Sequence, residues 1–250
     1  MKQMTSFRPS NSSDTLTITT TTASSTFPAA NLKDILPTKS YKTTSVGAEQ
    51  TIKYDFGGLV SYNGAMLNRI NFAEFYLETS PDNSAWTNVE HVTGLVKDEI
   101  HDEFYMHRYV EITTVNYRYI RIRIPAQTPL FEPTYFKIGN FLVGNFVTIW
   151  NPKSGYSVNQ VTKRAIKEFP SGYVSSNKIG KTRRVFSGNF DKITMTEYLK
   201  IVQTYEPFVL YHEFDGDKTS VYLVKITKDI SKDYFMANRV NHPFSFDEIV

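Results

Sequence analysis

Arg118-Tyr-Ile-Arg-Ile-Arg-Ile124 places Ile120, Ile122 and Ile124 at every second position and Arg121 and Arg123 between them. Side chains of an extended chain alternate between two faces, so this stretch reads as an antiparallel strand with one dry face and one wet face. Gln50-Thr-Ile-Lys-Tyr-Asp-Phe56 repeats the pattern, with Ile52, Tyr54 and Phe56 on one side. Leu16 and Ile18 alternate with threonines in the same way, and Phe136, Ile138, Phe141 and Val143 supply a further strand with an irregularity at Gly139. Between them, Gly57-Gly58 is expected to end a strand and Asn63-Gly64 to form a turn before Arg69-Ile-Asn-Phe-Ala-Glu-Phe-Tyr-Leu-Glu78. Ser80-Pro-Asp-Asn-Ser84 reads as a turn in which Asp82 or Asn83 bonds its own backbone, and Trp86 as the ring that closes one end of the core. About eight short strands with turns at this spacing predict a β-sandwich of jelly-roll type over residues 1–145.

Composition agrees with a mainly β chain. Of 250 residues, 16 are Tyr, 18 Phe and 2 Trp, all strand formers. With no cysteine there is no disulfide framework, thiolate metal site or cysteine nucleophile. The mean hydropathy is −0.34, and apolar runs such as Phe146 to Trp150 are far shorter than the roughly 20 residues of a spanning helix, so no membrane span is expected. The first residues, MKQMTSFRPSNSS, lack an apolar stretch, and no secretory signal is expected from them.

The two halves differ in charge. Residues 1–146 hold 13 Lys+Arg and 14 Asp+Glu, and the remainder 15 and 11. Asn151-Pro-Lys-Ser-Gly155 is a turn-forming cluster, which places a linker at 146–155 and a small α+β domain at 156–250. In that domain Lys181-Thr-Arg-Arg-Val-Phe-Ser-Gly-Asn-Phe190 reads as a strand. Thr194 and Glu197 form a capping box for one main helix through about Thr204. Phe208-Val-Leu-Tyr-His-Glu-Phe214 and Ser220-Val-Tyr-Leu-Val-Lys-Ile226 make a hairpin across Asp215-Gly-Asp-Lys218, and a last strand starts at Arg239.

Several stretches together carry a family resemblance. Asn31-Leu-Lys-Asp34 with Tyr41, Gln50-Thr-Ile-Lys-Tyr-Asp-Phe-Gly57, the run Phe75 to Val89 containing Ser80-Pro-Asp and Trp86, Tyr117-Arg-Tyr-Ile-Arg-Ile122, and Lys137-Ile-Gly-Asn-Phe-Leu-Val-Gly144 resemble the discoidin (coagulation factor type C) family. The resemblance covers about 120 residues. It implies a galactose-binding-like jelly roll that attaches a protein to sugars, lipid head groups or other proteins. It offers Asp34 as a calcium ligand, although a hard cation wants six or more oxygens and the segment from Asn31 to Lys42 has one carboxylate and three lysines. It also points to loops about Pro37 to Ala48 and Tyr62 to Met66, making Tyr41 and Tyr62 the candidate carbohydrate-binding rings.

The second half is similar to distal tail and minor tail-tip proteins of long-tailed bacteriophages, on the order of the 181–190 strand, the capped helix, Glu206-Pro-Phe-Val-Leu-Tyr211, Tyr222-Leu-Val-Lys-Ile226 and Phe244-Ser-Phe-Asp-Glu-Ile249. That resemblance implies a virion structural component, made in the host cytoplasm and carried in the tail or baseplate. It would assemble with copies of itself into a hexameric or trimeric ring and contact other tail proteins. Lys181, Arg183 and Arg184, with Lys163, Arg164 and Lys178, would then face a subunit interface or the lumen of the ring, a reading preferred over contact with nucleic acid. The alternative is an adhesion module whose sandwich recognises a cell-surface glycan.

No enzyme is expected. There is no G-x-S-x-G elbow and no glycine-rich phosphate loop. His91 and His101-Asp-Glu-Phe-Tyr-Met-His107 offer zinc-type ligands, but strand positions six apart are separated by about 20 Å. Asp215-Gly-Asp-Lys218 lacks the other ligands of a calcium loop and reads as a turn, and no cofactor is expected.

Overall fold

The structure is a computed structural model that describes residues 4–9, 16–34, 39–94, 106–132, 134–149, 157–161, 164–168, 174–178, 183–194, 208–212, 221–226, 233–236 and 239–248. These residues are almost wholly β. In chain order the strands of the first half are β1 (Met4–Pro9), β2 (Thr17–Thr20), β3 (Tyr41–Lys42), β4 (Gln50–Ile70), β5 (Phe75–Ser80), β6 (Thr87–Val92), β7 (Met106–Ile124), β8 (Lys137–Ile138) and β9 (Asn140–Ile149). One short 3-10 helix, Ala29–Lys33, precedes β3.

The long strand β4 makes the sandwich. Its first part, through Asp55, pairs with β2 on one side and with the Tyr119–Ile124 part of β7 on the other, and β5 and β6 extend this layer in the order β2-β4-β7-β5-β6. Its second part, from Val60, pairs with the earlier part of β7 and with β9. The two parts face each other across the core. Tyr54 of the first stacks against Phe141, which is in register with Leu67 of the second, at a ring-centroid distance of 4.6 Å. The dry face read from the sequence is therefore the core: Ile52, Tyr54, Ile120, Ile122 and Ile124 are fully buried together with Phe72, Phe75 and Phe136.

Two expected breaks in β4 are instead bulges. The register shifts between Asp55 and Val60, where Gly57 adopts φ 76° and its N–H bonds the Asp55 carboxylate at 2.8 Å, and again between Tyr62 and Gly64. Glycine and Asx residues supply the turn chemistry, but the strand resumes with the same partner, so the chemistry bends the sheet and does not end it. The Ala65-Met66-Leu67 run that follows is buried on both faces, which removes the alternation that marks a half-wet strand.

Gly139 is irregular as expected, and the structure supplies the reason. It separates β8 from β9, and its N–H bonds the Asn68 carbonyl at 2.8 Å beside Arg69, which sits at φ 56°. A Cβ at Gly139 would stand 2.9 Å from the Arg69 Cβ and 3.0 Å from the Asn68 carbonyl oxygen. Nearby, the buried Asn71 side chain donates to the Phe131 and Tyr135 carbonyls at 3.0 and 2.9 Å and accepts from the Lys137 N–H at 2.7 Å, fastening the loop before β8.

The second half contains β10 (Ser157–Val161), β11 (Arg164–Glu168), β12 (Val174–Lys178), β13 (Arg183–Thr194), β14 (Phe208–His212), β15 (Val221–Ile226), β16 (Asp233–Met236) and β17 (Arg239–Glu248). The β14–β15 hairpin and the strand from Arg239 form as read from the sequence. Thr194, the expected helix cap, is the last residue of β13, and the expected helix beyond it lies outside the described residues. The α+β assignment therefore reduces to its strands: the described residues of the second half contain no helix. β9 continues to Ile149, past the expected end of the first domain at 145. The turn cluster from Asn151 to Gly155 lies outside the described residues. Strand β1, not anticipated from the sequence, pairs with β9 on one side and β14 on the other and so joins the strands of both halves into one sheet.

Gly139→Ala is expected to destabilise the fold by about 1–3 kcal/mol, because both close atoms belong to backbone or to a Cβ that cannot swing away. Gly58→Ala, where the added carbon meets nothing within 4 Å, should change stability far less. Chemical denaturation of the two variants side by side measures the difference.

Candidate functional site

The wet face of the five-stranded layer carries the densest polar and aromatic construction among the described residues. Alternation puts Thr51, Lys53 and Asp55 of β4, Tyr119, Arg121 and Arg123 of β7, and Tyr76, Glu78 and Ser80 of β5 on this face. Register then sets them in rows. His91 of β6 lies opposite Tyr76, Tyr76 opposite Arg123, and Arg123 opposite Thr51. In the neighbouring row Glu78 lies opposite Arg121, and Arg121 opposite Lys53.

The rows are layered stacks. His91 and Tyr76 are parallel within 8° at 4.0 Å, and the Arg123 guanidinium lies 4.1 Å from the Tyr76 ring centroid. The Arg121 guanidinium lies 4.0 Å from the Trp86 ring centroid. Glu78 joins the rows: its oxygens accept from Arg121 Nε at 2.5 Å and from Arg123 Nε at 3.1 Å, with its side chain only 9% exposed. Glu49 at the margin takes Arg123 Nη1 at 3.1 Å, and Glu74 lies 2.9 Å from His91 Nε2. Arg118 holds Asp55 through two bonds of 2.6 and 2.9 Å, and that guanidinium, more than any other group, keeps the Asp55 carboxyl below its ordinary value.

The turn from Ser80 to Ala85 positions Trp86. Ser80 Oγ accepts from the Asp82 and Asn83 N–H groups, and Asp82 accepts from the Ser84 hydroxyl and from the Ser84 and Ala85 N–H groups. These donors, led by the Ser84 hydroxyl, push the Asp82 carboxyl far below the usual carboxylate range. Asp82 thus has the turn role expected of it. Trp86 does not close the core end: it is half-buried and lies on the wet face against Arg121. Tyr119 also lies on this face, with the Arg118 guanidinium 5.0 Å from its ring.

Both rings taken from the family resemblance are in the core. Tyr41 and Tyr62 are fully buried; the Tyr41 hydroxyl donates to the Thr22 carbonyl and the Tyr62 hydroxyl to the Tyr119 carbonyl at 3.2 Å. Burial pushes Tyr41 up to about 12 and raises Tyr62 as well. Neither ring has a face left for a sugar.

Asp34 does not fit a metal. Its carboxylate pairs with Lys39 Nζ at 2.9 Å, and its carbonyl accepts from the Asn140 side-chain amide at 2.7 Å. An ammonium and an amide N–H therefore stand at the oxygens a cation would need. No group of three or more His, Asp or Glu residues able to hold an ion occurs among the described residues. His101, Lys181 and the turn from Asp215 to Lys218 lie outside them. Arg183 and Arg184 are placed on β13 opposite Val161 and Gln160.

The sequence shows Arg121 and Arg123 as a wet face but not what they meet. Tyr76, Glu78 and Lys53 carry the same two-residue spacing, which was the available signal; the register that brings them together is a property of the folded sheet.

Two outcomes are expected. Adding calcium or a chelator should leave the thermal midpoint unchanged, as followed by circular dichroism. Asp82 contributes stability that is full above its ordinary value of 3.8 and is lost as pH falls through its lower folded value. Asp82→Asn should therefore flatten the loss of stability between about pH 4 and pH 2 in pH-dependent denaturation.

No family model and no curated protein matches this chain. Among solved structures, the chain is similar to chitosan-binding module 1 from a chitosanase/glucanase of Paenibacillus sp. IK-5, with 18% identity over 54% of this chain and 97% of that one and a TM-score of 0.44. It is also similar to the family 32 carbohydrate-binding module of Clostridium perfringens NanJ in complex with galactose, with 14% identity, 57% and 99% coverage and a TM-score of 0.43. A GH29 fucosidase of Ruminococcus gnavus in complex with fucose is similar at 12% identity, with 56% and 27% coverage and a TM-score of 0.44.

Proposed function

We propose that the sandwich is a non-catalytic carbohydrate-binding module and that its wet sheet face is the binding surface. The observation that carries this reading is the ordered array of Trp86, Arg121, Glu78, Arg123, Tyr76 and His91 across three strands. A plain solvated sheet face needs no such layering. Aromatic rings fixed against guanidinia form a rigid surface that loses little freedom on binding, and their polar edges supply directional hydrogen bonds. The layer is five strands wide, and four inter-strand spacings span roughly 19 Å, a width matched to an extended oligosaccharide.

A binding role suits the carboxylates better than a catalytic one. Both oxygens of Glu78 are occupied by arginines, and both oxygens of Asp82 serve its own turn. Neither is free to deliver a proton or attack a sugar carbon. The strand and motif order shared with the discoidin family supports an attachment role as well. The ring-forming tail component remains a proposal on motif order alone: the strands of its motif are present, and its helix and Lys181 are not among the described residues.

Trp86→Ala is expected to lower affinity for an oligosaccharide ligand at least about tenfold, the effect of removing a stacked aromatic anchor, while the thermal midpoint falls only slightly because Trp86 lies outside the core. Glycan-array screening of the intact chain, followed by calorimetry of this variant, tests the module. If no glycan is retained, or if affinity is untouched in the variant, the face is not the binding surface.

A further inference from the structure

The charged groups on this face are unevenly paired, and the unevenness bears on the ligand. Lys53 lies directly opposite Arg121 in the β4–β7 register, and Arg123 follows on the same face of β7. Like charges set opposite each other on one sheet face are destabilising. These three cations have between them one buried carboxylate, Glu78, and one marginal carboxylate, Glu49. Asp55, next on the same face of β4, is held by Arg118. Lys53 donates to the neutral Asn83 side chain at 3.0 Å; it helps to lower the Asp55 carboxyl through space, but no ion pair joins it to a carboxylate among the described residues.

The hydrogen-bonding capacity is just as uneven. Arg121 uses Nε for Glu78, while its two terminal nitrogens, like Nη2 of Arg123, make no bond to the described residues. The Lys53 ammonium has two further protons to donate. On the acceptor side, Glu78 and Asp82 are fully engaged, and Glu49 keeps one oxygen at the rim. Neutral sugars present hydroxyls that both give and take hydrogen bonds, and such a face would leave their donors poorly served. A group that only accepts, carries negative charge and spans two donors satisfies it.

Resting on the carbohydrate-binding reading, we propose that Lys53 and the outer edge of Arg121 seat an acidic group, carboxylate or sulfate, of an anionic oligosaccharide laid across the sheet. Trp86 against Arg121, and Tyr76 against Arg123, hold the guanidinium planes and leave polar edges for the ligand. Glu78 is a positioning residue: it fixes both arginines from beneath.

Calorimetry of the full chain at near-physiological salt tests this with a uronic-acid tetrasaccharide, its carboxyl-reduced neutral counterpart and a sulfated tetrasaccharide of the same length. At least one acidic form is expected to bind about tenfold or more tightly than the neutral one, the scale of a charge-assisted pair, and the better acidic form identifies the group. Lys53→Gln should remove most of that advantage, and Arg121→Gln should do the same. Lys33→Gln, which removes an exposed lysine on the 3-10 helix, should have no effect and so controls for overall charge. Should Arg121→Gln fail to fold, Lys53→Gln decides alone, since the Lys53 ammonium makes one hydrogen bond among the described residues, to Asn83. Equal binding of the neutral and acidic sugars overturns the acidic specificity and leaves the module reading standing. Acidic binding that survives Lys53→Gln overturns the site. Absence of binding to all three, together with an empty glycan array, overturns the module and the inference with it.

Discussion

The Tyr54 hydroxyl, fully buried, lies 2.9 Å from the Phe141 carbonyl and 3.3 Å from the Leu32 carbonyl. Tyr54 belongs to the first part of β4 and Phe141 to the strand paired with the second part, so this contact crosses the sandwich at the point where one strand has folded back over itself. Removing the phenol proton would leave a charge in a dry core, and burial accordingly raises this group well above its ordinary value of 10.0. The hydroxyl is therefore a permanent donor. On the other side of Tyr54 the layer continues by register alone, β7 on β4, then β5 and β6 beyond.

Bending β4 requires that its irregularities be met by special backbone elsewhere. Arg69 in the left-handed region is matched by Gly139, whose missing side chain lets β8 and β9 pass the kink, and Asn71 immediately after it holds the 131–137 loop by its side chain. The bulge at Gly57 is matched by Asp55, whose carboxylate serves the Gly57 N–H and Arg118 at once. With bends set by hydrogen bonds of this kind, the part from Gln50 to Asp55 stays regular, and its wet face carries an unbroken ladder of side chains.

The dry face was readable because burial and period coincide: Ile120, Ile122 and Ile124 alternate in the sequence and are buried in the structure. The turn at Asp82 was readable because its chemistry is local. Where contacts join residues far apart in the chain, local signals misled. Gly57-Gly58 and Asn63-Gly64 have turn composition, yet pairing with β7 on both sides of each carries the strand through. The family resemblance places Tyr41 and Tyr62 in loops, yet their hydroxyls find carbonyls 19 and 57 residues away and the rings go inside. The site lay hidden for the same reason. Lys53, Glu78 and Arg121 are each one half of an alternating pair, and only the register of three strands makes them neighbours.

That register also explains why such an arrangement can persist in a stable fold. A sheet whose dry face buries this many aromatic and branched side chains tolerates a wet face that is locally unfavourable, since each interaction there is small beside the core. Opposing Lys53 to Arg121 adds nothing to folding, and replacing Lys53 by threonine would relieve that repulsion in the free protein. Glu78 reduces the strain between the arginines but leaves Lys53 without an ion pair among the described residues. Residues that weaken a fold locally while keeping donors ordered and open are better accounted for by what they contact from outside than by what they contribute within.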